Sequence, residues 1–201
     1  MFVQTIRGKV TDPVAVRPVV DRWMTELGPT ATGWLGSTSG ITDDNQLFVL
    51  VRFESREAAT ANSGKPEQGE WWAEMEKLFD GEATFQDSTN AYIDTAGDLD
   101  SAGFVQVMTG QVSDPERGMA LMGDNSSWRG TRPDILGIVG ADFGDGRFTT
   151  TIYFTSEAAA REGEGKEIPP DVQARIDEMM SLIVGQLDYL DLRSPWLDSP
   201  Q

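Results

Sequence analysis

Two glutamines recur at matching places in segments that otherwise have the pattern of apolar β-strands. Gln4 lies in residues 2–10 and Gln106 lies in residues 104–112. A buried amide requires hydrogen-bond partners, so each glutamine could bind a carbonyl or hydroxyl group of a ligand. A structural hydrogen bond to a neighbouring backbone group is the simpler interpretation, and we favour it.

Gly8 and Gly110 fall on the same strand faces as the two glutamines, because side chains alternate along a strand. A glycine there could let a ligand approach the backbone closely. It could also mark a β-bulge. We expect the bulge.

A second group of candidate site residues lies in 62–72 and contains Asn62, Trp71 and Trp72. Adjacent residues of a helix point about 100° apart, so the two tryptophans are not expected to face the same way. One is predicted to pack in the core. The other could form the wall of a pocket for an aromatic or polycyclic ligand.

Two residue types that perform much of protein chemistry are missing from the chain, which has no Cys and no His. Disulfides, thiolate nucleophiles and zinc-thiolate sites are therefore excluded. A Ser-His-Asp triad and a His general base are excluded as well. Acid–base chemistry would fall to Asp, Glu, Lys, Tyr or the substrate, and no metal site is predicted.

The formal net charge of −17 is strongly acidic. Such a surface repels phosphate backbones and anionic lipid, so we expect neither nucleic acid nor membrane as a partner. No run of about 18 apolar residues suggests a membrane span, and the N-terminus lacks the pattern of a signal peptide. The sequence therefore predicts a cytoplasmic protein.

The two halves of the chain are similar in sequence. Residues 2–13 recur at 104–115 with seven of twelve positions identical. Further matches follow in the same order at a nearly constant offset, and they pair Leu35-Gly36 with Leu136-Gly137 and Gly64-Lys65 with Gly165-Lys166. We interpret this as an internal duplication.

Each half is predicted to have the order strand–helix–strand–strand–helix–strand. The predicted strands are 2–10, 34–42, 47–53 and 83–93 in the first half, and 104–112, 135–143, 147–154 and 187–192 in the second. We assign residues 1–95 to the first repeat, 96–103 to a linker, and 104–201 to the second repeat with a C-terminal tail.

At a constant offset the second half places Val172 and Gln173 where the first has the tryptophan pair, and Gly163 where the first has Asn62. The first half is therefore the better candidate for a pocket. The remaining tryptophans are predicted to pack in the core or an interface: Trp23, Trp34, Trp128 and Trp196.

The order strand–helix–strand–strand–helix–strand in each half defines an α+β fold with two tandem ferredoxin-like βαββαβ repeats and antiparallel sheets. A sheet with helices on one face must cover its other face if that face is apolar. In the first strand the second face is mixed and carries Val3, Thr5, Arg7 and Lys9. We expect the two such faces to cover one another in an intramolecular dimeric α+β barrel.

From residue 2 to about residue 191 the chain resembles the dimeric α+β barrel superfamily, and within it the antibiotic-biosynthesis-monooxygenase-like group in tandem form. The resemblance depends on the order of elements, the opening strand and the pattern at 52–59, Arg-Phe-Glu-Ser-Arg-Glu-Ala-Ala. It implies the fold more than the function. The superfamily includes cofactor-independent monooxygenases, haem-degrading enzymes, dye-type peroxidases, chlorite dismutases and small-molecule isomerases.

The haem-degrading members have an Asn on the first strand, then a Trp and a ligand His near the second helix. The matching places here hold Gly8, Asn62 and the vicinity of Trp71 and Trp72, none of the required type. With no His, a His-ligated haem is excluded. A Tyr or carboxylate ligand stays formally open, but no cofactor is expected.

Three functions remain open. The first is binding of a small hydrophobic or aromatic ligand, with Gln4, Gly8, Arg52, Asn62, Trp71, Trp72 and Gln106 as candidate binding residues. The second is a cofactor-independent monooxygenase or isomerase, in which Arg52 could stabilise an anion. The third is a non-catalytic scaffold. In each case we expect a monomer that is an internal pseudo-dimer, or a weak homodimer.

Overall fold

The computed structural model describes residues 1–123 and 131–200, and for Met122 and Gly123 it describes the backbone only. Trp128, which was predicted to pack in a core or interface, lies outside the described residues. Within the described ranges, no helix combines the length and the apolar character that a membrane-spanning helix needs.

The chain forms two compact units. The first unit contains Met1–Thr89 together with the C-terminal residues from Pro195, and the second unit contains Asn90–Ser194. This grouping follows spatial contact, whereas the repeat boundaries at residues 95 and 104 follow sequence similarity and stay a prediction.

In the first unit an antiparallel sheet has the strand order β10-β2-β3-β1-β4. Its elements are β1 (Phe2–Lys9), α1 (Pro13–Arg22), β2 (Trp34–Ile41), β3 (Gln46–Phe53), α2 (Arg56–Ser63), α3 (Pro66–Met75), β4 (Thr84–Ser88) and β10 (Trp196–Asp198). A π-helical turn at Trp23–Leu27 and a 3-10 turn at Gly28–Thr30 connect α1 to β2.

In the second unit the sheet has the order β5-β7-β8-β6-β9. Its elements are β5 (Asn90–Thr95), β6 (Phe104–Gln111), α4 (Pro115–Gly123), β7 (Ile135–Asp142), β8 (Arg147–Phe154), α5 (Glu157–Glu164), α6 (Pro170–Leu182) and β9 (Asp188–Leu192). The predicted fold class is therefore confirmed as α+β, with helices and two five-stranded antiparallel sheets.

The prediction of one strand over residues 83–93 is wrong. The chain leaves the first sheet after β4, and β5 pairs with β7 in the second sheet. The reverse happens at the other end of the chain, where β10 pairs with β2 in the first sheet. The sequence gives β4 and β5 one continuous strand pattern, and only their hydrogen-bond partners separate them.

Side-chain caps explain where the helices begin. Asp12 Oδ1 accepts hydrogen bonds from the backbone amides of Val14 and Ala15, and Pro13 occupies the first helical position of α1. Ser55 caps α2 and Ser156 caps α5 in the same way. These caps satisfy amides that would otherwise lack partners at a helix N-terminus.

The predicted bulges at Gly8 and Gly110 are wrong. Gly8 pairs with Leu47 and Gly110 pairs with Phe148 in regular register. A Cβ at Gly8 would lie 2.6 Å from the Phe79 ring, so this glycine makes room for a packed side chain. The register irregularities lie instead in β2 and β7, before Gly36 and Gly137.

The helix-facing side of the first sheet holds most of the apolar core of this unit. One cluster forms around Ile6, Val16, Leu47 and Phe79. The opposite face is also buried, since Val3 is 0% and Thr5 is 3% exposed. That the two sheets shelter one another in a barrel concerns the arrangement of the units and stays a prediction.

Candidate functional site

A cavity of about 390 Å³ lies in the first unit, between the helix-facing side of the sheet and α1, α2 and α3. This volume falls within the range of roughly 300–1,000 Å³ that is usual for small-molecule sites. All the side chains that line it belong to the first unit. They come from β1, β2, β3 and β4, from the π-helical turn, from the three helices, and from Phe79 in the segment between α3 and β4.

Aromatic side chains from the helices and the sheet form a continuous wall of the cavity. The rings of Trp23 and Trp34 lie 5.1 Å apart, those of Trp23 and Trp71 6.5 Å apart, and those of Trp71 and Trp72 6.1 Å apart. Trp72 also meets the Phe85 ring edge-on at 5.0 Å. The Trp71–Trp72 pair is tilted and the other three pairs are edge-to-face, an arrangement that stabilises aromatic pairs beyond their buried area.

The expectation that only one of the adjacent tryptophans could face a pocket is wrong, because both Trp71 and Trp72 line this cavity. The cavity is wide enough to receive side chains that leave α3 about 100° apart. Trp71 is further fixed by its indole N–H, which donates to the carbonyl oxygen of Val19 at 2.8 Å.

A first polar group in the cavity joins Asn62, Gln68 and Trp23. The indole N–H of Trp23 donates to Gln68 Oε1 at 2.7 Å, and Asn62 Nδ2 donates to the same oxygen at 3.3 Å. Because an indole nitrogen can only donate, it fixes the orientation of Gln68, and Gln68 fixes that of Asn62.

Asn62 Oδ1 therefore points away from Gln68. Asn62 is only 7% exposed, and within the described part of the chain its Oδ1 accepts no hydrogen bond. This oxygen is accessible from the cavity rather than enclosed in the core. Asn62 thus offers the cavity a hydrogen-bond acceptor in a fixed position.

A second polar group joins Gln4, Asp87 and Arg56. Gln4 Nε2 donates to Asp87 Oδ1 at 2.8 Å, and Arg56 Nη1 donates to Asp87 Oδ2 at 3.3 Å. The Arg56 guanidinium also lies 5.0 Å above the ring of Phe2. The expected backbone partner of Gln4 is therefore wrong, because its partner is a carboxylate on the neighbouring strand.

The same arrangement occurs in the second unit. Gln106 Nε2 donates to Asp191 Oδ1 at 2.9 Å, and Arg161 donates to Asp191 Oδ2. Arg161 lies 5.2 Å above the ring of Phe104. The expected backbone partner of Gln106 is thus wrong too. Since the network recurs, its first role is to hold the opening strand to its neighbour.

Four of the seven candidate site residues line the cavity of the first unit: Gln4, Asn62, Trp71 and Trp72. Gly8 packs against Phe79. Arg52 pairs with Val3 and Gly36 and so projects from the opposite face of the sheet. That any of the seven binds a ligand stays a prediction.

Sequence reasoning missed several residues of the cavity: Trp23, Trp34, Arg56, Gln68, Phe85 and Asp87. Asp87 could have been found from the sequence repeat, because Asp191 follows Gln106 at nearly the spacing that separates Asp87 from Gln4. The tryptophans were assigned to the core, and Trp34 is indeed buried, at 6% exposed.

The predicted correspondence of Trp71 and Trp72 with Val172 and Gln173 is wrong. Thr11 N–H donates to Leu78 O, and Ser113 N–H donates to Leu182 O. The offset between α3 and α6 is therefore 104, because the connection from α5 to α6 is three residues longer than that from α2 to α3. The structural counterparts of the tryptophan pair are Arg175 and Ile176.

The described residues contain no group of three or more acidic side chains arranged to hold a metal ion. Of the side chains that line the cavity, Asp87 supplies a carboxylate and Arg56 a guanidinium, and these two form an ion pair. The cavity is thus apolar and aromatic, with two hydrogen-bonded polar groups and no net charge on its lining.

Comparisons with known proteins place the fold. No family model and no curated protein matches the chain. A putative monooxygenase from Lactobacillus acidophilus matches with a TM-score of 0.75 and 13% identity, over 98% of each chain. One from Fusobacterium nucleatum matches with a TM-score of 0.76 and 10% identity, over 98% of this chain and 94% of its own.

An anthrone oxidase-like protein also matches, with a TM-score of 0.70 and 10% identity, over 100% of this chain and 91% of its own. The chain therefore has the tandem ferredoxin-like fold of these monooxygenase-like proteins. At such low identity the likeness concerns the fold, and the activities in those descriptions are properties of those proteins.

Proposed function

We propose that the first unit binds a small, neutral, apolar or aromatic molecule in the cavity between its sheet and its helices. The observation that carries this proposal is the coincidence of an aromatic wall with the unpartnered Asn62 Oδ1 in one cavity. Such a combination is typical of small-molecule sites, in which apolar contacts give affinity and a few polar groups give orientation.

The electrostatics favour a neutral ligand. Arg56 and Asp87 neutralise each other at the cavity lining, and the chain as a whole carries a charge of −17. A negative protein disfavours anionic ligands at long range, and the lining offers no unpaired carboxylate for a cation. A ligand with a hydroxyl or amine hydrogen could donate it to Asn62 Oδ1.

Fluorescence titration with N-phenyl-1-naphthylamine tests this proposal, because the probe is neutral, aromatic and has a single N–H donor. Trp72→Ala should weaken binding about 10-fold or more through loss of the aromatic wall. Asn62→Ala should weaken it about 3- to 10-fold through loss of one hydrogen bond.

Ile176→Ala provides the matched control, because Ile176 is the counterpart of Trp72 in the second unit and does not line the cavity. It should leave the dissociation constant unchanged. No saturable binding of this probe, or equal losses in Trp72→Ala and Ile176→Ala, would contradict the proposal.

Cofactor-independent oxygenation is a second candidate, favoured by the presence of the Asp87 carboxylate in an aromatic cavity. In this reaction an acidic CH₂ group of the substrate loses a proton, and the carbanion transfers electrons to O₂. A C–O bond forms and the O–O bond breaks, which gives a carbonyl group and water. Arg52 has no place in it, since it lies on the other sheet face.

Oxygen uptake with anthrone decides between the two candidates. Protein-dependent uptake that Asp87→Asn abolishes would support oxygenation, whereas tight binding of anthrone without uptake would support binding alone. We also infer that the chain acts as a monomer or weak homodimer in the cytoplasm. Sedimentation equilibrium showing a stable higher oligomer would contradict the first part of that inference.

A further inference from the structure

The cavity meets solvent along one side of the first unit. Most of its lining side chains are buried or half-buried, but one contiguous set is exposed. This set lies on α2, on the first turn of α3 and on β4, and consists of Arg56, Thr60, Ser63, Gly69, Phe85 and Asp87. We call this opening the α2–α3–β4 entrance.

Gly69 is the residue of the entrance that the fold explains least. It lies inside α3, where its amide donates to the Lys65 carbonyl oxygen at 3.2 Å. Its φ lies outside the left-handed region that favours glycine. Glycine destabilises a helix relative to alanine, so the backbone gives no reason for glycine at this position.

Packing gives no reason either. A Cβ at Gly69 would find no neighbouring atom of the described chain within 4 Å. Gly8 is the opposite case, since a Cβ there would overlap Phe79. Gly69 therefore makes room for no group in the described part of the chain, and it lies at the exposed edge of the cavity.

We propose that Gly69 keeps the α2–α3–β4 entrance open and sets the width of the ligand that can pass, an inference that depends on the proposed binding function. A side chain at this position would extend from α3 into the open space of the entrance. Gly69 is thus a specificity-determining position through steric access, without a polar contact to the ligand.

The second unit supplies a natural comparison at this position. The offset of 104 makes Gln173 the counterpart of Gly69, and the amide of Gln173 donates to the Pro169 carbonyl oxygen at 2.9 Å as that of Gly69 does to Lys65. Gln173 extends along its helix and donates to Asp177. Gly69→Gln therefore transfers a side chain that the equivalent helix already accommodates.

Stopped-flow binding of N-phenyl-1-naphthylamine to the full chain tests the inference. Gly69→Gln and Gly69→Phe should lower the association rate constant at least about 10-fold, because the entrance is narrower. Gly69→Ala adds the smallest side chain and should lower the rate constant less than either of these substitutions. Its unfolding temperature should rise by roughly 1–4 °C, since alanine favours the helix.

Glu70→Phe is the matched control, because Glu70 is exposed on the same helix and does not line the cavity. It should leave the association rate unchanged. An association rate in folded Gly69→Gln within two-fold of that of the unmodified chain would overturn this inference and leave the binding function intact. Absence of probe binding by the unmodified chain would overturn both.

Discussion

The two units share an order of elements but differ in what occupies the gap between helices and sheet. Asn62 lines the cavity of the first unit, and its counterpart in the second unit is Gly163. A Cβ at Gly163 would overlap the guanidinium of Arg132. Although glycine is smaller than asparagine, the space beside Gly163 is not empty, because the long side chain of Arg132 occupies it.

A second position shows the same pattern. Ser39 lines the first cavity, and its counterpart Gly140 has the ring of Tyr92 against it. Burial raises the pKa of the Tyr92 hydroxyl, with a hydrogen bond to Thr150 opposing the rise. The comparison indicates that the side chains in the gap, rather than the backbone, determine whether a unit of this fold has room for a ligand.

The hydrogen-bond network of a glutamine, an aspartate and an arginine helps to distinguish structural residues from functional ones. It is present in both units, although its arginine comes from the first turn of α2 in one and from a later turn of α5 in the other. The tryptophan wall has no such counterpart, since Ile135, Arg175 and Ile176 replace three of its members. Features that recur stabilise the unit, and features of one unit alone are the candidates for binding.

The largest effect that we expect is that of removing Arg132. Asp134 is only 8% exposed, and Arg132 donates to it through two nitrogens at 3.0 and 2.8 Å. Arg132→Ala should lower the free energy of unfolding by about 3 kcal/mol at pH 7, because it leaves a buried carboxylate unpaired. Urea denaturation followed by circular dichroism measures the loss.

This loss should depend on pH in a known direction. Burial raises the pKa of the Asp134 carboxyl, but hydrogen bonds from Arg132 and the backbone, with the charges of Arg132 and Lys166, outweigh it and hold the pKa below its ordinary value. Because this carboxyl has a lower pKa in the folded state than in the unfolded state, its ionised form stabilises the fold at pH values above the unfolded-state pKa. The stabilisation is lost as the pH falls through the folded-state pKa. The difference in unfolding free energy between the unmodified chain and Arg132→Ala should therefore be full at pH 7 and shrink below about pH 4.

Arg117→Ala is the control for this prediction, because it breaks an exposed ion pair with Glu178. It should cost less than about 1 kcal/mol. If Arg132→Ala costs no more than this control, or if its cost grows as the pH falls, Arg132 is not the partner that stabilises the buried Asp134 carboxylate.

A smaller effect is expected from exchanging residues between the units. Gly140→Ser gives the second unit the residue of the first, and its Cβ would overlap the Tyr92 ring. It should lower the free energy of unfolding by about 1–3 kcal/mol. In a Tyr92→Ala background the same substitution should cost less, which a double-mutant cycle measures. Equal costs in both backgrounds would show that Tyr92 does not fill this space.

The smallest stability effect should come from the recurring glutamines. Gln4→Leu and Gln106→Leu each remove one hydrogen bond to a partly exposed carboxylate, and each should cost about 0.5–1 kcal/mol. Only Gln4→Leu should change the affinity for N-phenyl-1-naphthylamine, because Gln4 lines the cavity. A similar affinity change in both variants would remove the distinction between the two units.

Much of the fold followed from local sequence signals. The pattern of apolar residues predicted most strands to within one residue at each end, because it depends on neighbours in the chain. The candidate site followed in part: Asn62, Trp71 and Trp72 were selected from one segment that has a polar residue and a pair of aromatics, and all three line the cavity.

Most of the failures concern partners or connections that the local sequence pattern does not reveal. Nothing in residues 83–93 indicates that β4 and β5 pair with different strands, because both segments have ordinary strand composition. The longer connection before α6 shifted the correspondence of the tryptophans by three residues. Arg52 matched a sequence pattern, but the alternation of β3 places it away from the cavity.

The sequence by itself determined the class of fold, most of the strands and the chemistry that is impossible without Cys and His, since these depend on residue type and short-range spacing. Tertiary structure alone decided that one unit has an open cavity while Arg132 and Tyr92 occupy the matching positions of the other. The physical reason is that space in a protein depends on which side chains from distant segments pack into it.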